Sequence, residues 1–233
     1  MASVARRHSA YVGLRIGCRV RPRQGPGGVP TIPAMRVKVS EFMSMDGVVQ
    51  APGGADEDPS GNFRHGGWSM PYFDPEVMAP ALMSDLQQTE ASLSGRVTYQ
   101  ISAASWPERT DEDDPFTSTL SRIHKYVVSG TLSEADLTWG PATLVRPGDL
   151  IETVSELRSR PGDKYLSVSG STEVTRALLA AGLVDELSLY VEPIVLGGGK
   201  SIFPADGVKH RFELVSSQPA KTGVVINRYR RAD

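Results

Sequence analysis

Apolar and polar residues along the chain alternate with a strand period in some segments and recur at helical spacing in others. Over 36–43, Val37 and Val39 face one side of a predicted strand and Phe42 the other, which favours a strand covered on both faces. Over 75–90 the apolar residues recur at the three- and four-residue spacing of an amphipathic helix. Further strands are predicted over 91–94, 125–129, 143–145, 165–168, 186–192, 213–216 and 224–230, and further helices begin near 95, 116, 149 and 172.

Strands and helices alternate through most of the chain, and strands alone follow residue 186. This order predicts an α/β fold with a mostly parallel central sheet flanked by helices and antiparallel strands at the C-terminal end. Asp149 and Glu152 have the spacing of a capping box, and Gly182 is placed to end the helix that follows residue 172. The pattern fits a single domain over 35–233.

The first 34 residues differ from the rest in charge and composition. They contain six Arg, no Asp or Glu, and end in a Gly/Pro-rich stretch. We expect either a disordered basic extension or sequence upstream of a real start at Met35. An organellar transit peptide and a nucleic-acid-binding arm are the alternatives. The remaining residues carry 19 Lys+Arg and 27 Asp+Glu, a net charge of −8, which disfavours nucleic acid as a partner.

Composition excludes several classes of protein. No apolar run approaches the roughly 18 residues of a membrane-spanning helix, so no membrane role is expected. The single cysteine, Cys18, excludes an internal disulfide and fits a reducing, cytoplasmic location. The histidines are scattered and form no metal-ligating pair, so no metal site is predicted; they are His8, His65, His124 and His210.

A long loop follows the first predicted strand, from the Asp46-Gly47 turn to Pro71. Loops of this length inside a compact domain are usually functional, and this one carries or adjoins four aromatic residues. We therefore expect a lid or the wall of a substrate site, with an ordinary anchoring role as the alternative. The aromatic candidates for an apolar substrate wall are Trp68, Phe73 and Trp106.

Three segments share one plan, in which a strand is followed by glycine and hydroxyl residues and then by a helix or polar loop. They are 94–98, 128–131 and 169–172. The carboxyl ends of parallel strands form the edge where α/β sheets bind ligands, and helix N-termini there favour phosphate. The three segments together predict a nucleotide cradle, to which Arg96 adds a cation. Taken singly, each segment is more often an ordinary turn or cap, and it is the repetition after successive strands that favours the cradle.

Other nucleotide and hydrolase motifs fail. A P-loop ending at Lys200-Ser201 would need glycine where the chain has Ile194, and no G-x-S-x-G elbow occurs. Gly197 and Gly198 permit either close approach to a ligand or a bulge before the last strands.

Several motifs resemble the dihydrofolate reductase superfamily, and within it the reductase domain of the bifunctional riboflavin-synthesis deaminase–reductase. They are SEFMSMDGVV at 40–49, SGRVTY at 94–99, KYVVS at 125–129, VSGS at 168–171, LVDEL at 183–187 and PIVLGGGKSIFP at 193–204. The resemblance spans nearly all of 35–233. It implies an NADPH-dependent reductase, usually a homodimer in this branch, which acts on a small-molecule substrate.

The resemblance also implies roles for individual residues. Gly95, Arg96 and Thr98 would contact the cofactor phosphates, Ser129 and Thr131 would flank the adenosine end, and Gly170, Ser171 and Thr172 would hold the pyrophosphate. Arg96 is expected at the 2′-phosphate. Asp46 would lie where the nicotinamide meets the substrate, opposite Gly197 and Gly198.

The chain departs from the resembled families in two respects. Dihydrofolate reductases carry a substrate-binding carboxylate on the first helix, where the spacing here gives Ala79, and Glu76 is the nearest substitute. Asp74, Glu76 and Asp85 are interpreted instead as solvated surface charges. The zinc motifs of the deaminase half are missing.

The strand-tip segments and the family resemblance together imply hydride transfer from NADPH to a C=N or C=O bond of a pterin-like or ribosylaminopyrimidine-like heterocycle. Asp46 or water would supply the proton. A nucleotide-binding protein of the same fold without turnover is the alternative.

Overall fold

The computed structural model describes residues 33–107 and 115–232, which form one eight-stranded sheet flanked by helices. The strands are β1 (Arg36–Ser44), β2 (Thr89–Gly95), β3 (His124–Val128), β4 (Ala142–Val145), β5 (Tyr165–Val168), β6 (Glu186–Glu192), β7 (Phe212–Pro219) and β8 (Val225–Arg231). Their order is β4-β3-β2-β5-β1-β6-β8-β7. Strands β1 to β6 pair in parallel, whereas β8 pairs antiparallel with β6 and β7. The predicted fold class is confirmed.

Within the described ranges, five α-helices flank the sheet. They are α1 (Met78–Gln87), α2 (Arg96–Ser105), α3 (Pro115–Arg122), α4 (Leu150–Ser159) and α5 (Thr172–Ala180). Helices α2 and α5 begin directly after β2 and β5, so both helix N-termini lie at the carboxyl edge of the sheet. No helix of the described residues is long and apolar enough to cross a membrane.

Strand β1 is covered on both faces, as its sequence pattern predicted. Val37 and Val39 are fully buried in the larger core, together with apolar residues of β5, β6, α4 and α5. On the opposite face Phe42 packs against Tyr190 of β6, with 5.1 Å between ring centroids, in a cluster that also contains Met78 of α1. Alternation along the strand thus divides its side chains between two separate cores.

Polar groups hold α1 against this second face. The carboxylate of Asp85 accepts hydrogen bonds from Lys38 Nζ at 2.6 Å and from Arg228 Nη2 at 3.2 Å. The hydroxyl groups of Ser188 and Tyr190 donate to its other oxygen at 3.4 and 3.5 Å. The interpretation of Asp85 as a solvated surface charge is wrong, because the carboxylate faces the sheet and pairs with a lysine that is only 5% exposed.

Asp74 is also buried rather than solvated. Its carboxylate accepts backbone N–H groups of Lys221 at 2.9 Å and Glu76 at 3.0 Å, and these bonds hold its pKa below the usual value. Glu76 is exposed and pairs with the side chain of Lys221, as expected of a surface charge. Asp74 therefore orients the turn before α1, and its carboxylate is engaged by these backbone hydrogen bonds.

Several predicted element boundaries need correction. Helix α1 begins at Met78 rather than at Pro75 and ends at Gln87, because the chain enters β2 at Thr89. Asp149 forms no side-chain cap, since a 3₁₀ turn over Pro147–Asp149 runs straight into α4. Gly182 does end α5 as predicted: its φ is +66°, and its N–H donates to the Leu179 carbonyl.

The predicted N-terminal extension lies outside the described residues except for Pro33 and Ala34. The Pro33 carbonyl accepts the N–H of Gly162 at 2.7 Å, and Ala34 forms a β-bridge with Pro161. These contacts attach the two residues before the predicted domain boundary to the segment that precedes β5. The acidic loop 108–114 is also outside the described residues.

Candidate functional site

The tips of β2 and β5 meet at the carboxyl edge of the sheet. A Cβ placed on Gly95 would lie 2.4 Å from Ser171 Oγ and 3.0 Å from Ser171 Cβ, and one on Gly170 would lie 2.7 Å from Thr98 Oγ1. Gly170 also has φ +72°, a conformation that favours glycine. Two of the three predicted cradle segments are therefore in direct contact, and glycine is required on both sides of that contact.

The third segment lies on the next strand. Gly95 of β2 is in register with Val128 of β3, so Ser129 follows at the same edge of the sheet. Thr131 and Gly130 are exposed there, whereas Ser129 is buried and its Oγ accepts the N–H groups of Thr131 and Leu132. Ser129 consequently shapes this loop with its side chain, and Thr131 is the hydroxyl residue that faces solvent.

The helix N-termini of this edge leave polar groups available. Neither Gly95 before α2 nor Ser171 before α5 caps the first-turn N–H groups with a side chain. Uncapped first-turn amides attract anions, since they lack partners within the helix and lie at the positive end of its dipole. Thr172 is the first residue of α5 and its side chain is buried. Its contribution to the carboxyl edge of the sheet is therefore its backbone N–H group.

Two arginines lie around this edge. Arg96 is exposed on the first turn of α2, where its Nη1 donates to Gln100 Oε1 at 3.1 Å. Arg146, after β4, donates from Nη1 to the carbonyl oxygens of Ser129 and Leu132 at 3.1 and 3.0 Å. Sequence reasoning missed Arg146. Its position directly after a parallel strand was the signal that could have found it.

A second group of predicted residues meets beyond β1 and β6. Asp46 accepts the hydroxyl of Ser44 at 2.6 Å and the backbone N–H groups of Leu196 and Gly197 at 3.2 and 2.8 Å. The structure thus brings Asp46 and Gly197 together. The Ser44 hydroxyl, followed by these amides, holds the pKa of Asp46 below its usual value. A carboxylate that is already ionised and serves as an acceptor is a poor proton donor at neutral pH.

The aromatic candidates do not form one wall. Trp68 is buried and donates its Nε1–H to the Gln50 carbonyl at 2.7 Å, which anchors the long loop. Phe73 is 39% exposed. Trp106 packs 5.4 Å from Phe116 between ring centroids, in a cluster centred on β3 and β4. Trp106 therefore lies on the β3–β4 side of the sheet, away from the loop that follows β1.

Gln50 and Lys200 organise the long loop. The Gln50 amide donates to the carbonyl oxygens of Asp58 and Ser60, and its Oε1 accepts the N–H of Lys200. Lys200 Nζ pairs with Asp58 at 2.6 Å. At Gly199 a Cβ would lie 2.5 Å from Val48 and 3.0 Å from Phe63, so the loop closes tightly over this glycine. Neither Gln50 nor Lys200 was identified from sequence.

Glu192, at the end of β6, is the buried acid of this region that sequence reasoning missed. It is fully buried, its Oε1 accepts the Ser69 hydroxyl at 2.6 Å, and its Oε2 has no hydrogen-bond partner among the described residues. Burial raises its pKa to about 7, against the lowering effect of Ser69. The bond from Ser69 ties the long loop to the sheet.

This raised pKa predicts a pH-dependent stability. The folded protein holds the Glu192 proton more tightly than the unfolded chain does, so the stabilisation declines as pH rises from about 4.5 to about 7. Glu192→Gln keeps an acceptor for Ser69 but does not titrate. Between pH 5 and pH 8 we expect the unfolding free energy of wild type to fall by about 1–3 kcal/mol relative to that of this variant. Thermal unfolding at both pH values measures the difference, with Glu90→Gln as the exposed control; parallel curves for all three proteins would contradict it.

Two clefts, of about 400 and 420 Å³, open elsewhere. Their lining residues, which include Glu90, His124 and Lys164, lie at the amino ends of β2, β3 and β5. This is the opposite edge from the glycine and hydroxyl tips. We place the candidate site at the carboxyl edge, because α/β sheets bind ligands there and the uncapped amides lie there. Among the described residues, no group of three or more His, Cys, Asp or Glu could hold a metal ion.

The architecture is that of the dihydrofolate reductase-like proteins. Dihydrofolate reductase from Enterococcus faecalis, solved with NADP(H) and RAB-propyl, superposes with a TM-score of 0.52 at 14% identity, covering 85% of this chain and 97% of that one. A pyrimidine reductase-like protein from Corynebacterium diphtheriae gives 0.54 at 16% identity, covering 85% and 92%. At these identities the likeness is one of fold.

The chain belongs to the RibD C-terminal domain family, whose model matches residues 36–226. The resemblance predicted from its motifs is thereby confirmed. A curated relative, the uncharacterized protein YyaP of Bacillus subtilis (strain 168), is 29% identical over 143 residues, which are 60% of this chain and 73% of that protein.

Proposed function

We propose that the protein is an NADPH-dependent reductase of a small heterocyclic substrate. The observation that carries the proposal is the meeting of the β2 and β5 tips, Gly95 with Ser171 and Thr98 with Gly170, at two uncapped helix N-termini. Such an arrangement suits a diphosphate, which needs several N–H donors within a short distance. Family membership supports reductive chemistry.

The residues present fit a phosphorylated dinucleotide. First-turn amides of α2 and α5 would hold the diphosphate, Thr131 would lie towards the adenosine end, and Arg96 would pair with the 2′-phosphate. When bound, the nicotinamide supplies the hydride. The long loop, anchored by Trp68 and Ser69, would exclude water from the substrate.

Asp46 would act here as a positioning residue. Its two carboxylate oxygens hold Leu196 and Gly197, so it sets the position of the glycine-rich segment opposite the β1 turn. We therefore propose that the proton of the reduction comes from water or from another group beside the substrate, rather than from Asp46. The substrate would be a pterin-like or ribosylaminopyrimidine-like compound with a reducible C=N or C=O bond.

Arg96→Ala tests the cofactor assignment. Loss of a charge-assisted hydrogen bond of about 1.5–3 kcal/mol should weaken NADPH binding about 10- to 100-fold. NADH lacks the 2′-phosphate, so its affinity should change by less than about threefold. Fluorescence titration with both dinucleotides measures this. Arg122→Ala on α3 is the matched control, because its exposed guanidinium donates to Ser118 of the same helix and lies outside the proposed cradle. Equal losses for NADPH and NADH would remove Arg96 from the 2′-phosphate.

A nucleotide-binding protein without turnover is the second candidate. The ionised, fully engaged carboxylate of Asp46 favours it, since the predicted proton donor is committed to holding a loop. NADPH oxidation with a panel of pterins, flavin precursors and carbonyl compounds separates the two. Binding of NADPH without oxidation by any compound would favour the second candidate.

The proposed assembly is a homodimer. Strand β7 supports this because it lies at one edge of the sheet, is exposed over nearly its whole length, and displays Leu214 and Val215 at 57% and 55% exposure. Long exposed edge strands with apolar side chains are sites of pairing with another chain.

A further inference from the structure

One backbone N–H group of the proposed cradle already donates a hydrogen bond to a carboxyl group. Glu41 lies in β1, and its Oε1 accepts the backbone N–H of Gly170 at 3.1 Å. Gly170 is the residue that packs against Thr98, one position before the Ser171 that meets Gly95. Glu41 therefore reaches the junction of the β2 and β5 tips from the neighbouring strand, at a place proposed to hold a diphosphate.

The surroundings of Glu41 contain little to stabilise a negative charge. It shares its face of β1 with Val39 and Met43, and its register partner in β6 is Leu189. The charged residues of α5 that lie nearest in sequence, Glu173 and Arg176, pair with each other at 3.4 Å on the helix. Desolvation raises the pKa of Glu41 to about 8, although the Gly170 N–H acts in the opposite direction. This shift favours the neutral form of the carboxyl group near neutral pH.

The protonation state decides what the cradle can accept. An ionised carboxylate at the Gly170 amide would repel a phosphate brought to the same place, since like charges a few ångströms apart disfavour each other. A neutral carboxylic acid instead has an O–H that can donate to a phosphate oxygen. The same side chain thus opposes the anion in one state and can bind it in the other.

We infer that Glu41 couples dinucleotide binding to a proton, so that the cradle takes up the diphosphate with Glu41 in its neutral form. The inference rests on the proposed function and adds a regulation to that site. The dinucleotide then binds protein in which Glu41 is neutral. For a group that titrates near pH 8, the fraction of free protein in this form falls about tenfold between pH 7 and pH 9. A dinucleotide that binds at pH 8 takes up about half a proton.

The first test is the pH dependence of NADPH affinity in wild type and Glu41→Gln, by fluorescence titration at pH 7 and pH 9. The 2′-phosphate of NADPH, with a second pKa of about 6, is ionised throughout this range. Wild-type affinity should fall about tenfold, whereas Glu41→Gln, which keeps an acceptor for the Gly170 N–H, should change less than about twofold. Glu90→Gln, an exposed acid at the opposite edge of the sheet, is the control and should show the same tenfold fall as wild type.

The second test needs no variant. Isothermal titration of wild type with NADPH at pH 8, in two buffers of different ionisation enthalpy, counts the protons taken up. No uptake, or the same tenfold loss in Glu41→Gln, would overturn the coupling while leaving the proposed cofactor in place. Failure of wild type to bind NADPH at pH 7 would instead overturn the proposed function, and the coupling with it.

Discussion

Gly95→Ala is expected to destabilise the protein and to disrupt the proposed cradle together. The added Cβ would lie 2.4 Å from Ser171 Oγ and 3.0 Å from Ser171 Cβ. Rotation of the serine moves only the Oγ, so the start of α5 must shift away from β2. Overpacking of this kind costs about 1–3 kcal/mol of unfolding free energy. A displacement approaching 1 Å at a binding site can cost about 100-fold, and we expect NADPH affinity to fall 10- to 100-fold.

Gly130→Ala is the matched control for this variant. Gly130 lies at the tip of β3 on the same edge, but its Cβ would have Pro147 Cγ at 3.8 Å as its nearest neighbour. Its stability should stay near that of wild type. Gly95→Ala combined with Ser171→Gly removes the contacting atoms and should recover most of the lost stability, as a double-mutant cycle in chemical denaturation would show. Independent effects of the two substitutions would mean that the β2 and β5 tips do not meet.

Asp85→Asn should produce the largest loss of stability. It removes the charge that neutralises Lys38, whose side chain is buried between α1 and the sheet, and weakens the pairing with Arg228. Breaking a buried ion pair by removing one partner costs about 3–5 kcal/mol, because the other charge is left uncompensated. Chemical denaturation measures the change in unfolding free energy.

Glu76→Gln is the control for Asp85→Asn. Its pairing with Lys221 is exposed on both sides, so its loss should cost less than about 1 kcal/mol. Replacing both buried charges, Lys38→Met with Asp85→Leu, should restore much of the stability, since no uncompensated lysine remains. An Asp85→Asn protein as stable as Glu76→Gln would show that Lys38 is solvated rather than held under α1.

Most of the fold was predictable because local signals and topology agreed. Alternation in β1, the strand-glycine-helix order at Gly95, and Gly182 at the end of α5 each follow from short-range sequence. The boundaries that failed depended on competition between neighbours. The helical pattern over 75–90 extends into residues that belong to β2, since Thr89 pairs with Tyr165 of β5.

The site was predictable to a lesser degree. Glycine and hydroxyl residues after strands pointed to the strand tips that meet in the structure, because their conformational and hydrogen-bonding properties are local. Trp106 could not be separated from Trp68 and Phe73 by sequence, since all three are aromatic residues near loops. Asp46 looked like a proton donor until its hydrogen bonds to Leu196 and Gly197 were visible.

By itself the sequence determined the class of fold and the family, and it located the three strand-tip segments on which the proposed nucleotide site is built, because each depends on residues adjacent in the chain. The tertiary structure decided which acids are held by other groups of the protein. Glu41, Asp85 and Glu192 each owe their environment to partners distant in sequence, Gly170, Lys38 and Ser69. The protonation of a carboxyl group depends on desolvation and on the groups that face it, and both arise only when separate strands and loops pack together.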